Sequence, residues 1–175
     1  MLQAYLHAML RKSQPVVELE RRPLDFMVDT LSWLVITGTW IYALASYKKL
    51  PDEIPVHFNF KGKPDSYGSK DSIWLIPIIS TALVLLLTLI NERPHWFNYP
   101  VKITPENAES KYRLATSLMR WLKLMMAIIF AFIVWQTIAV AKQHAPDLGI
   151  WFLPVSLLVM FGIIGYYLVK TFRGG

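Results

Sequence analysis

The chain has 175 residues, of which 54% are hydrophobic and 17% are charged, and its formal net charge is +6. It contains no cysteine, which excludes disulfides, thiol catalysis and cysteine-ligated metal sites. The basic excess is of the size found in membrane proteins that carry lysine and arginine on one side of the bilayer, so we expect no nucleic-acid partner.

The first 25 residues are expected to lie outside the membrane domain, as an N-terminal interfacial segment. Five apolar residues of MLQAYLHAMLRK share one helical face, namely Leu2, Tyr5, Leu6, Met9 and Leu10. This pattern favours a short helix in the plane of the bilayer interface. A frayed terminus is the alternative.

Four uncharged blocks follow, each long enough to cross a hydrocarbon core of about 30 Å, which takes roughly 20 residues of helix. The blocks are Thr30–Tyr47, Ser72–Asn91, Leu124–Ala141 and Leu148–Val169. Because the blocks have no polar face, a bundle buried in water is disfavoured. The sequence predicts an all-α membrane protein in contact with the lipid bilayer. Its four transmembrane helices are expected near residues 27–48, 71–91, 105–142 and 148–171.

The segment between the first two predicted helices, LPDEIPVHFNFKGKPDSYGSK at residues 50–70, is rich in turn-forming residues. Pro51 and Pro55 favour an extended chain, and Gly62 marks a tight turn. We expect an ordered extracytoplasmic loop that caps the bundle. Its polar side chains either bond the loop's own backbone or form a site in which His57 and Asp65 act as acid and base. A single histidine among scattered carboxylates lacks metal-ligand spacing, so we predict no metal.

The third helix is expected to be unusually long. Thr104 is suited to the N-cap and Pro105 to the first helical position, and neither proline nor glycine follows before Pro146. A helix over residues 105–142 would measure roughly 55 Å at 1.5 Å per residue, which exceeds the hydrocarbon core. The aromatic residues of the preceding loop, residues 91–112, are predicted to be interfacial anchors.

The distribution of basic residues orients the four helices. Twelve of the 18 lysines and arginines fall before the first uncharged block, between the second and third blocks, and after the fourth block. The positive-inside rule then predicts cytoplasmic termini and an outward-facing loop at residues 50–70. Ionisable residues are nearly absent within the four blocks, which argues against an ion-coupled transporter.

The loop sequence, with Tyr47 before it, resembles the signature of the DUF1648 family of bacterial membrane proteins. The positions that match are Pro51, Asp52, Pro55, His57, Asn59, Gly62, Asp65, Tyr67, Gly68, Ser69 and Lys70. The resemblance implies a DUF1648-like four-helix domain over residues 26–175, in the cytoplasmic membrane of a bacterium. The family has no established activity, cofactor or catalytic residues, and its domain also occurs in the immunity protein of the sporulation-delay toxin system.

These observations favour a binding, sensing or immunity-like module that uses the outward loop. Its candidate ligand-binding residues are His57, Asn59, Asp65, Tyr67 and Lys70, and its structural motif consists of Pro51, Asp52, Pro55, Gly62 and Gly68. The expected partner is a peptide, a lipid head group or another membrane protein, and no cofactor is expected. The alternatives are a small membrane-embedded enzyme that acts at the outer interface, or a subunit of a larger envelope complex.

Overall fold

A computed structural model describes residues 14–173. The predicted interfacial helix at residues 2–10 therefore lies outside the described residues. Four helices are each long and apolar enough to cross a membrane, which confirms the prediction of a multi-pass membrane protein. They are α1 at Pro23–Tyr47, α2 at Leu75–Asn91, α3 at Ala108–Ala141 and α4 at Phe152–Phe172.

Helix α3 is the centre of the bundle, and each of the other three helices packs against it. Helix α4 has the least buried surface of the four: Leu158 and Phe161 are 73% and 66% exposed. Large apolar side chains also cover the outer faces of α1 and α2. Such a continuous apolar surface is unfavourable in water and suits contact with lipid.

The third helix has 34 residues, or roughly 50 Å at 1.5 Å per residue, and is the longest helix among the described residues, as predicted. It begins at Ala108, three residues later than expected from Thr104 and Pro105. The difference arises from Asn107, whose side-chain oxygen accepts a hydrogen bond from the Thr104 amide at 2.9 Å. That bond holds the preceding residues in a turn, where an asparagine competes with helix formation.

The loop between α1 and α2 contains a small sheet, which the expectation of an all-α chain missed. Strand β1, Glu53–Phe58, pairs antiparallel with β2, Pro64–Ser69, and a 3-10 helix at Lys70–Trp74 leads into α2. These are the only strands in the part of the chain that the structure describes. Each arm has six residues and includes a proline, so its strand pattern is too short to stand out from turn signals.

The hairpin, residues 53–69, is docked firmly on the bundle. Ile54 is 1% exposed and lies in one apolar cluster with Ala43 of α1 and Val134 of α3. On the other side, the Leu148 amide donates to the Gly62 carbonyl at 2.8 Å, which ties the hairpin to the α3–α4 loop. The cap is thus joined to the helices by both apolar packing and a backbone bond.

The bundle has two ends of different character. The hairpin and the α3–α4 loop form the hairpin end. The opposite end contains residues 14–22, the α2–α3 loop and the end of α4, joined by bonds such as Gln14 Nε2 to the Phe97 carbonyl at 2.9 Å. Lys111 Nζ donates to the Thr171 carbonyl at 2.9 Å, where a cation stabilises the helix terminus.

Candidate functional site

The hairpin brings His57 and Asp65 together. His57 Nδ1 lies 2.5 Å from Asp65 Oδ1, and their side chains are 68% and 41% exposed. A carboxylate only accepts, so the bond requires Nδ1 of the ring as the donor, and Nε2 points away from the carboxylate. This orientation by a carboxylate is the geometry used in general bases and in metal-binding histidines. The two side chains face outward and take no part in the core.

Lys70 follows the last residue of β2, at the base of the hairpin and away from the His57–Asp65 pair. Its Nζ donates to Asp52 Oδ1 at 2.8 Å, which closes the base of the hairpin, and the Lys70 amide donates to the Asp52 carbonyl at 2.9 Å. The bond from Lys70 holds the pKa of Asp52 below its usual value. Tyr47, at the end of α1, donates to Asp71 Oδ1. These contacts connect the hairpin to the two helices that flank it.

Asn59 is used by the turn of the hairpin. Its Oδ1 accepts from the amides of Lys61 at 2.9 Å and Lys63 at 3.2 Å. The backbone of Asn59 also bonds to Lys63 and Gly62. This is the ordinary role of an asparagine that stabilises a turn. Asn59 therefore shapes the site, while the ring of Tyr67, which is 57% exposed, is free for contact.

The residues predicted to form the structural motif have distinct roles. Pro55 is buried on the inner side of β1, and Pro51 is exposed at the exit from α1. A Cβ on Gly68 would lie 3.1 Å from Val56, so its strand is packed closely. At Gly62, φ is +79° and a Cβ would lie 2.8 Å from the Gly149 carbonyl oxygen. Both the backbone conformation and the close approach at that position require glycine.

Within residues 14–173, no group of three or more histidine, aspartate and glutamate side chains is placed to hold a metal ion. His57 and Asp65 would supply one nitrogen and one carboxylate. A structural zinc site needs four ligands and a catalytic site three. The pair can orient a proton or accept a hydrogen bond from a ligand.

A second cluster lies near the opposite end and was missed by sequence reasoning. Lys123 Nζ bonds to Asp29 Oδ1 at 2.6 Å and to Thr88 Oγ1 at 3.0 Å, and Lys123 is 1% exposed. Arg120 reaches Asp29 at 3.3 Å and Asp25 at 3.5 Å. We call Asp25, Asp29, Arg120 and Lys123 the buried ionic network. It joins α1, α2 and α3 inside the bundle.

A signal for this network was present in the sequence. Asp25 and Asp29 are four residues apart, and Arg120 and Lys123 are three apart, so each pair lies on one face of its helix. Asp29 and Lys123 directly precede uncharged blocks, so sequence alone is equally consistent with charges that flank an apolar segment. Pairing between α1 and α3 stabilises these charges near the hydrocarbon region, because an unpaired charge is strongly disfavoured there.

Comparison with known proteins matches the segment of the chain that contains the hairpin. Residues 34–81 match the family model described as "Domain of unknown function (DUF1648)". The chain is also 35% identical over 78 residues to an uncharacterized protein of Archaeoglobus fulgidus, an alignment that covers 40% of this chain and 43% of the relative. The chain thus matches less than half the length of that relative. No solved structure matches the chain.

The family match covers a continuous structural unit. It begins in the middle of α1, includes the hairpin and the 3-10 helix, and ends in the first turns of α2. All of the residues of the signature noted in the sequence fall inside it. The buried ionic network lies outside it. Residues 34–81 are therefore similar to the DUF1648 family, and the hairpin lies at the centre of the matched segment.

Proposed function

We propose that this protein is a membrane-anchored binding module whose hairpin recognises a peptide on the outer side of the membrane. The observation that carries the proposal is the hairpin itself. Its inner side is packed on α1 and α3 through Ile54, yet His57, Asp65 and Tyr67 are all exposed. A docked scaffold that presents exposed polar and aromatic side chains, which take no part in its core, is typical of a recognition surface.

The strand arrangement favours a peptide as the ligand. Strand β1 contacts α3, whereas β2 pairs only with β1 among the described residues. The outer edge of β2 therefore offers backbone donors and acceptors, which an extended peptide can pair with by adding a strand. Tyr67 and the 89% exposed Phe60 lie on the same hairpin and supply aromatic contact area.

A photo-cross-linker placed at Tyr67 in intact cells tests this proposal. We expect covalent adducts with a peptide or protein segment, identified by mass spectrometry, because position 67 lies on the exposed strand. The matched control is the same cross-linker at Phe161, which faces outward from α4. Lipid adducts at both positions, with no peptide at Tyr67, would contradict the proposal. A single stoichiometric membrane protein at both positions would favour a subunit of a larger complex.

The oriented His57–Asp65 pair favours a second candidate, acid–base catalysis at the outer interface. The variant His57→Asn distinguishes the catalytic candidate from the binding module. An amide nitrogen still donates to Asp65 but cannot take up a proton or bind a metal as imidazole does. For a binding module we expect peptide capture to weaken by less than about tenfold, the cost of one ordinary hydrogen bond.

The measurement compares capture, melting temperature and bound metal for wild type and His57→Asn in one detergent. Complete loss of function at an unchanged melting temperature would favour the catalytic candidate. Loss of a stoichiometric metal in the same variant would identify His57 as a ligand. Asp65→Asn serves as the partner control, since it removes the charge that orients the ring.

We further propose that both termini are cytoplasmic, that the hairpin faces outward and that the membrane is the cytoplasmic membrane of a bacterium. The basic residues at the opposite end support this orientation. Ser66 lies on the exposed strand β2, and Ser110 lies in the first turn of α3. We expect an impermeant thiol reagent to label Ser66→Cys in intact cells and Ser110→Cys only after lysis. Equal labelling of both in intact cells would show that the orientation is wrong.

A further inference from the structure

A polar cleft opens at the opposite end of the bundle, beside the buried ionic network. It has a volume of about 410 Å³ and lies between the connector at residues 16–21, the end of α2 and the side of α3. Its polar lining consists of Thr116 and of six charged, amide or imidazole side chains, namely Glu18, Arg21, Asn91, Glu92, His95 and Arg120. The cleft is far from the hairpin, and the proposed recognition of a peptide does not use it.

The floor of the cleft carries an unpaired acceptor. Asn91 is 8% exposed, and its Nδ2 donates to the Thr116 carbonyl at 3.3 Å. Its Oδ1 is buried without a hydrogen-bond partner among residues 14–173. Buried amide oxygens are nearly always paired, so an orphan acceptor at the floor of a cleft points to a donor supplied by a ligand.

The charges around Asn91 are of both signs. On the acidic side, Glu92 and Glu18 are exposed at the lining. On the basic side, the Arg21 guanidinium forms an ion pair with the Glu92 carboxylate at 3.8 Å, between half-exposed side chains. That distance is too long for a good hydrogen bond, so a ligand can replace the pair with shorter bonds to each group. Arg120 is held by Asp29, and its guanidinium extends the basic side inward. The cleft therefore suits a ligand that carries a positive and a negative charge close together.

The position of the cleft relates it to the membrane surface. The neighbouring Trp96 is 64% exposed, and the Arg93 guanidinium lies over its ring at 4.5 Å from the centroid. Exposed tryptophan next to a basic residue is typical of the head-group zone of a bilayer. A zwitterionic ligand reaching this cleft can arrive either as a lipid head group or from solution.

We propose that the cleft binds a phosphoethanolamine group, that is, a primary ammonium joined to a phosphate ester. The ammonium has three donors, which satisfy Asn91 Oδ1 and the Glu92 carboxylate. The phosphate pairs with Arg21 and with the His95 ring at the mouth of the cleft. A quaternary ammonium has no donor for Asn91, and a glycerol head group offers the Glu92 carboxylate only neutral hydroxyl donors in place of a charged ammonium, so the site discriminates among head groups.

The test measures binding of short-chain phospholipids to the full-length protein in detergent, by native mass spectrometry and by shift of the melting temperature. We expect saturable binding of dihexanoyl phosphatidylethanolamine, with phosphatidylcholine and phosphatidylglycerol of the same chain length at least about tenfold weaker, the loss of one charged hydrogen bond. Equal binding of all three lipids would overturn the proposal. Water-soluble O-phosphoethanolamine distinguishes a membrane lipid from a soluble ligand. An affinity equal to that for the lipid assigns the cleft to a soluble ligand, and a weaker affinity assigns it to the membrane lipid.

Two variants locate the binding. Asn91→Leu removes the buried acceptor, and Glu92→Gln removes an exposed carboxylate outside the core, so we expect Glu92→Gln to fold as the wild type does. We expect each to abolish the preference for phosphatidylethanolamine over phosphatidylcholine. The matched control is Glu106→Gln, an exposed carboxylate of the α2–α3 loop outside the cleft. An unchanged preference in Glu92→Gln, or an equal loss in Glu106→Gln, would overturn the proposal.

Discussion

Replacing Lys123 with leucine is expected to lower the free energy of unfolding by roughly 3–5 kcal/mol, the usual cost of breaking a buried ion pair from one side. Lys123 is 1% exposed, and its ammonium is 2.6 Å from the Asp29 carboxylate. Removing it leaves Asp29 with Arg120 as its remaining cation, at 3.3 Å. Unfolding in a mild-detergent to sodium dodecyl sulfate titration, followed by circular dichroism, measures the loss.

The double variant Asp29→Leu with Lys123→Leu separates pairing from packing. Replacing both partners removes the uncompensated charge, so we expect the double variant to be more stable than Lys123→Leu. Lys102→Leu is the matched control, because Lys102 is exposed in the α2–α3 loop. If the free energy of unfolding lost in the double variant equals the sum of the losses in Asp29→Leu and Lys123→Leu, the ion pair does not hold the helices together.

Replacing Gly62 with alanine is expected to loosen the hairpin from the bundle. The left-handed conformation costs an alanine roughly 1–2 kcal/mol, and the new methyl group would meet the Gly149 carbonyl oxygen at 2.8 Å. Relief of that contact moves the turn away from the α3–α4 loop and breaks the bond between Leu148 and Gly62. We expect trypsin to cleave after Lys61 about 5- to 30-fold faster, since cleavage follows the population of the open form.

Gly149→Ala is the control for this variant. The φ angle of Gly149 is +87°, so an alanine at position 149 has the same unfavourable left-handed backbone conformation as an alanine at position 62. No atom, however, lies within 4 Å of the Cβ that would be added at Gly149. A smaller increase in cleavage for Gly149→Ala would assign the difference to the close approach at Gly62. Equal cleavage in Gly62→Ala, Gly149→Ala and wild type would show that the hairpin does not depend on its contact with the α3–α4 loop.

Both sets of variants concern how the bundle supports its two ends. The hairpin is held by apolar packing on α1 and α3 together with a single backbone bond to the α3–α4 loop. The opposite end is held by charges within the helices and by bonds from residues 14–22 to α3, such as Tyr112 to the Pro15 carbonyl at 2.9 Å. Because α3 runs through both, a change at either end acts on the same helix.

The sequence by itself determined the class of the protein, a helical protein that crosses the membrane several times. Uncharged blocks of about 20 residues specify membrane-crossing helices, since hydrocarbon tolerates no unpaired backbone groups. The lack of helix breakers from Glu106 to Ala145 determined that the third helix would be long. The prolines and Gly62 predicted an ordered loop with a tight turn. The proximity of His57 to Asp65 was only a hypothesis, because a contact across eight residues depends on the register of a hairpin that turn signals do not specify.

Only the tertiary structure decided which charges meet and which side chains remain free. Asp29 and Lys123 are 94 residues apart in the chain and meet because α1 and α3 pack side by side. The tertiary structure also showed that Asn59 supports the turn while Tyr67 is exposed. It showed as well that Asn91 Oδ1, in the lining of the cleft, is buried with no partner in the part of the chain that the structure describes. Periodicity and composition report the environment of a segment, whereas contacts between distant segments depend on how the helices pack.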